Sequence, residues 1–148
     1  MNLNGDVLIA KLGQLHDAID RIETKRPPSL ELLLADRDLQ DIVCKNIERA
    51  VQICIDLATH LATMNALAPK TPGESFKMLA DKGMLDTALA SAMIKAVGFR
   101  NVSVHDYVKV DWTIVMTIAG DGVDDLKAFG RWVKGLLSDA APPPPGRR

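Results

Sequence analysis

A chain of 148 residues fits one domain and is long enough to bury a real core. Its hydrophobic content is 47% with only 4% aromatic residues, which points to aliphatic helix packing. A net charge of −1 argues against a protein that coats or bends DNA, which would need a basic surface, but leaves room for a site gripping a phosphate or two.

In chain order, Leu8, Leu12, Leu15, Ile19 and Ile22 recur at steps of four and three, so an amphipathic helix is expected, ended by Arg26-Pro27-Pro28. A long second segment follows, from about Ser29 to Met64. One stripe is Leu39, Val43, Ile47, Ala50, Cys54, Leu57 and Leu61; a second, Ile42, Val51, Ile55 and Ala58, widens the apolar face. Such a face predicts a central helix touching several others, and a second protomer as well. Asp36-Arg37-Asp38 reads as a solvated helix start. Thr71-Pro72-Gly73-Glu74 has the pattern of a capping box with Pro at the first helical position, and Gly83 that of a left-handed cap. Asp86 opens a helix through Leu89, Met93 and Val97, closed by Gly98. From Val110 to Leu137 two helical stretches are expected on either side of Gly120-Asp121-Gly122, with Trp112 and Trp132 as anchors. Nothing alternates with strand period for long, so the fold class is all-α, an antiparallel helical bundle with one long central helix. The helical domain covers 1–138. The Pro-rich tail, 139–148, cannot continue a helix and is expected to be disordered.

The apolar runs fall short of the roughly 20 residues of a membrane span, and no secretory leader opens the sequence, so the expected setting is the cytoplasm. Cys44 and Cys54 lie ten apart without a paired spacing, and read as small core residues rather than a disulfide or zinc site. No Walker loop or dinucleotide turn is present, and no cofactor or metal is called for.

The stretch richest in chemistry is Phe99-Arg100-Asn101-Val102-Ser103-Val104-His105-Asp106-Tyr107. Arginine is charged at any working pH and grips phosphate oxygens through a planar fork. Histidine exchanges a proton near neutrality. Together they approach the minimum needed to cleave RNA without a metal, because the 2′-hydroxyl is an internal nucleophile. On a continuous helix Arg100 and His105 would stand about 140° apart. A break at Gly98 would instead set Arg100 on a turn ahead of the helix bearing His105, and let the two converge.

The spacing Arg-Asn-x-x-x-His-x-Tyr resembles the signature of the HEPN superfamily and, within it, the HepT-like ribonuclease toxins of type VII toxin–antitoxin systems. From about Leu8 to Leu136 the helical pattern is similar to the family's; Ser103 departs from it, where an aliphatic residue is more usual. The resemblance implies an endoribonuclease that cuts without a metal and leaves a cyclic phosphate, with His105 transferring protons, Arg100 binding the scissile phosphate, and Asn101 orienting the histidine or donating to phosphate. It implies a homodimer whose two motifs face one groove, so that one histidine serves in turn as base and acid or two protomers share the work. It also implies an MntA-like nucleotidyltransferase antitoxin that attaches AMP to Tyr107. On its residues alone, Tyr107 equally reads as a bundle anchor.

Asp56 and His60, four apart on the long helix, read as a local pair, with lining of the RNA groove as the other role. His16 reads as a boundary residue of the first helix. The competing function is a silent helical module that binds a nucleotide or a partner protein; a third is a partner-binding role resting on the broad face of the long helix.

Overall fold

The computed structural model describes residues 3–105 and 110–140, with side chains described over 5–104 and 110–139. The described residues form helices and connecting turns, with no strand among them. Helix α1 (Leu3–Lys25) buries Leu8, Leu15, Ile19 and Ile22 and leaves Leu12 half-buried, as its stripe predicts. It stops at Arg26-Pro27-Pro28, where two prolines cannot donate to the ladder; the Arg26 N–H makes the last turn, to the Ile22 carbonyl at 2.9 Å.

The long second segment is not one helix. A short α2 (Leu30–Ala35) precedes α3 (Arg37–Met64), and the break falls on Asp36, whose backbone is extended. The Asp36 carboxylate accepts from the Leu39 N–H at 3.1 Å, so the expected helix start at 36–38 is a true cap, and the helical pattern reaches back to Ser29 only because a second capped helix begins there. Gln40 then turns back to donate to the Leu33 carbonyl at 3.0 Å, satisfying the end of α2.

Helix α3 buries both predicted stripes, from Val43 to Leu61, and packs against α1, against α4 (Glu74–Asp81), against α5 (Thr87–His105) and against α7 (Val123–Ala140). It is the central helix that its wide apolar face requires. Where α4 meets α7, Phe76 and Phe129 stack edge to face with ring centroids 5.4 Å apart, and Trp132 adds a tilted contact to Phe129 at 5.5 Å. The Trp132 indole N–H reaches the Met84 carbonyl at 3.0 Å, so this tryptophan is an anchor, as expected.

At the start of α4 the capping box is only half made. Gly73 holds the cap position, and the Glu74 carboxylate reaches back to the Lys70 N–H at 3.2 Å and the Thr71 hydroxyl at 3.4 Å. The far end follows the prediction: Gly83 has φ of +79°, and the Gly83 and Met84 N–H groups donate to the Ala80 and Leu79 carbonyls, a Schellman closure. Asp86 caps α5 through the Leu89 N–H at 3.0 Å.

Gly120-Asp121-Gly122 does not separate two helices. After α6 (Trp112–Thr117) the chain continues through a π-helical segment, Ile118–Gly122, directly into α7. Apolar residues Val115, Ala119 and Val123 are buried at steps of four, longer than an α-helical turn, and a turn of i→i+5 type takes up the excess. Gly120 leaves room here for Arg26: a Cβ would sit 3.0 Å from the guanidinium, which donates to the Met116 carbonyl at 3.4 Å and would have to shift slightly. Helix α7 runs to Ala140, taking in the first two residues of the expected tail; the remainder lies outside the described residues.

Cys44 and Cys54 are both free and buried. Burial, reinforced by the neighbouring Glu48 carboxylate, pushes the Cys44 thiol up to about 12, and burial alone raises Cys54. Both thiols therefore hold their protons in the folded state where an unfolded chain would have lost them. The unfolded state then binds fewer protons, so stability falls as pH rises above the ordinary thiol value of 9.0. Urea unfolding at pH 8 and pH 10 is expected to show a drop that shrinks in a Cys44→Ala, Cys54→Ala double variant; an equal drop in both would disprove the assignment.

Candidate active site

Helix α5 carries the motif, and Gly98 does not end it. The helix is continuous from Thr87 to His105. Gly98 is exposed with open space around its missing Cβ, so its cost of about 1 kcal/mol is outweighed by the burial of Met93, Val97 and Ser103 on the same helix. The turn that would bring Arg100 and His105 together is therefore absent, and the two positions stand about 140° apart around one axis. The His105 side chain lies outside the described ones, as do Asp106 and Tyr107 entirely.

Arg100 is half-buried and held from two sides. Its Nη1 donates to Asn101 Oδ1 at 3.3 Å, and its Nη2 donates to Gln52 Oε1 on α3. Among the described residues these take two of the five guanidinium donors. Gln52 continues the chain, its Nε2 donating to Asp56 Oδ1 at 2.9 Å, while Asp56 Oδ2 accepts from Lys11 Nζ of α1 at 3.0 Å. A line of polar groups thus runs Lys11–Asp56–Gln52–Arg100–Asn101 across three helices.

This arrangement corrects the local pairing expected of Asp56 and His60. Both Asp56 oxygens serve the line, whereas His60, one turn further on, has its Nε2 buried with no hydrogen-bond partner among the described residues. Asn101 is exposed and engages Arg100, the only partner it shows among the described residues. Gln52 and Lys11 escaped the sequence reading. The signal for Gln52 was its position one turn before Asp56; nothing in the sequence marks Lys11, whose link to Asp56 spans 45 residues.

Ser103 is 3% exposed. Its hydroxyl donates to the Arg100 carbonyl at 3.0 Å, so the polar group sits in an apolar position without being orphaned. Next to it the α5 surface turns apolar: Val102 is 46% exposed and Val104 47%. His16 is exposed and lines a separate groove of about 740 Å³ between α1 and α7, floored by Leu12, Leu15 and Leu126; the groove shares no residue with the Arg100 line.

A helical bundle with an Arg-x4-His motif on its α5 helix has the architecture of the HEPN toxins. The profile of the ribonuclease HepT-like family matches residues 15–131. The chain belongs to that ribonuclease family, and endoribonuclease activity, expected from the motif, is the family's activity. It is 30% identical over 125 residues to the mRNA nuclease HepT of Shewanella oneidensis, covering 84% of this chain and 93% of that one. The fold is similar to the tri-AMPylated Shewanella oneidensis HEPN toxin in complex with its MNT antitoxin, with a TM-score of 0.82, 30% identity and coverage of 91% of this chain and 99% of that one. It is equally similar to a toxin–antitoxin structure with AMP-PNP, at a TM-score of 0.81 and 29% identity, covering 90% and 99%.

Proposed function

We propose that this chain is the RNA-cleaving toxin of a HEPN/nucleotidyltransferase toxin–antitoxin module, acting in the cytoplasm through Arg100 and His105 and silenced by AMP attached to Tyr107. The observation that carries the reading is Arg100: a fixed cation, half-buried, oriented among the described residues by the neutral amides of Asn101 and Gln52 and by no carboxylate. An arginine meant only to hold helices together would be expected to face a carboxylate. This one keeps its charge available for a phosphate.

His105 takes the proton from the 2′-hydroxyl as that oxygen attacks phosphorus, and the P–O5′ bond breaks with a proton delivered to the departing oxygen. The products are a 2′,3′-cyclic phosphate and a free 5′-hydroxyl. Arg100 stabilises the charge that grows on the non-bridging oxygens, and Asn101 steadies Arg100 from the solvent side. Because positions 100 and 105 diverge around one helix, a homodimer that sets the motif of one protomer against that of the other supplies the convergence a single helix lacks. AMP on Tyr107 would bring a phosphate anion to the same site and repel RNA.

The test is cleavage of single-stranded RNA by the purified chain in excess EDTA. Fragments ending in cyclic phosphate are expected, and incubation with the cognate nucleotidyltransferase and ATP is expected to add AMP to the wild type but not to a Tyr107→Phe variant, and to stop cleavage. Intact RNA with an unmodified, folded protein would refute the reading.

A further inference from the structure

The geometry points to Gln52 as a positioning residue for Arg100, locked in one amide orientation by the Lys11–Asp56 pair. This rests on the ribonuclease reading above and names a further part of the same site.

An amide side chain can ordinarily present either its oxygen or its nitrogen to a neighbour. Asp56 removes that choice. An ionised carboxylate only accepts, so the Gln52 NH2 must face Asp56, and the Gln52 oxygen must face Arg100. Lys11 completes the lock by occupying the second Asp56 oxygen at 3.0 Å, which holds the carboxylate in the direction Gln52 needs. The Lys11 and Asp56 side chains are 33% and 38% exposed, so the pair contributes little to stability. Its effect is directional.

The choice of an amide has a chemical reason. A glutamate at 52 would hold Arg100 more tightly, but as a salt bridge competing directly with the phosphate. It would also stand one helical turn from Asp56, adding a second negative charge to the line. A neutral oxygen fixes the guanidinium without cancelling its charge. The line as built carries Lys11 and Arg100 against Asp56, a net charge of +1. The link from α3 to α5 also ties the orientation of Arg100 to the packing of the central helix.

The experiment compares wild type with Gln52→Leu, Gln52→Glu and Asp56→Asn in steady-state cleavage of a short RNA. The expected loss in kcat/KM for Gln52→Leu is about 10- to 100-fold, the cost of a misplaced catalytic group. Gln52→Glu is expected to raise KM more than it lowers kcat. Asp56→Asn, which frees the amide to flip, is expected to give a smaller loss in the same direction. In an Arg100→Lys background, Gln52→Leu is expected to have little further effect, because the oriented fork is already gone. Full additivity there, or wild-type cleavage by Gln52→Leu, would overturn the inference. A second readout does not depend on cleavage: the slowly exchanging guanidinium resonance of Arg100 in a 15N NMR spectrum should broaden in Gln52→Leu while backbone amides stay put. An unchanged resonance overturns the inference. A wild type that leaves RNA intact overturns the functional reading instead, and the NMR still decides on Gln52.

Discussion

Arg100→Ala and His105→Ala are each expected to abolish growth arrest when the chain is expressed without its antitoxin, with total RNA left intact. In vitro the loss should reach about 10²- to 10³-fold for the arginine if, as proposed, its charge faces the transition state. It should reach about 10²- to 10⁴-fold for the histidine in the proton-transfer role proposed for it. The variants must be compared at equal protein level and without AMP on Tyr107, since modification would mimic inactivation. Arg100→Lys separates charge from geometry: lysine keeps the charge but loses the two-pronged fork, so partial activity is expected. If either alanine variant still arrests growth, the motif is not the cleaving site.

Phe129→Ala is expected to be the most damaging single core change. Phe129 has no exposed surface and its ring contacts both Phe76 and Trp132, joining α4 to α7 at the centre of the bundle. Truncation leaves a cavity facing two aromatic rings and should cost about 3–5 kcal/mol. That is a large part of the whole stability of a domain of this size, commonly about 5–15 kcal/mol. Urea unfolding should show a much lower midpoint with an unchanged slope. Phe129→Leu should recover more than half the loss, and the molecules that remain folded should cleave RNA normally. A midpoint shift under about 1 kcal/mol would mean the ring cluster is not the keystone described.

Most of the bundle is legible because burial writes a period into each helix. The stripes of α1 and α3 name most of the buried residues, although Ala18, Asn46, Ile53 and Ala62 are buried outside them and Leu39 and Ile42 are only half-buried. Gly83 and Asp86 announce a stop and a start through backbone chemistry that acts within a few residues. What fails is the judgement of breaks. Asp36 divides the segment read as one from about Ser29 to Met64, because its carboxylate offers the Leu39 N–H a better partner than one more helical turn. Gly98 and Gly120 look like breaks and are not, because packing on neighbouring helices outweighs their local preference. At the site, Arg100 and His105 are marked by type and spacing, and the family resemblance gives them roles. Gln52 and Lys11 are not marked. Their meaning arises only when α1, α3 and α5 are brought side by side, across 48 residues in one case and 45 in the other.

The widened turn at Ile118–Gly122 has a consequence for how this chain tolerates change in length. In a regular helix, losing one residue rotates everything beyond it by about 100° and would swing the Val123–Val133 stripe of α7 out of the core. Within the widened turn, one residue can be given up by tightening to an ordinary α turn, and the stripe beyond keeps its register. The segment is therefore a slack link in an otherwise phase-locked rod, a place ahead of the last helix where a one-residue deletion need not be lethal to the fold.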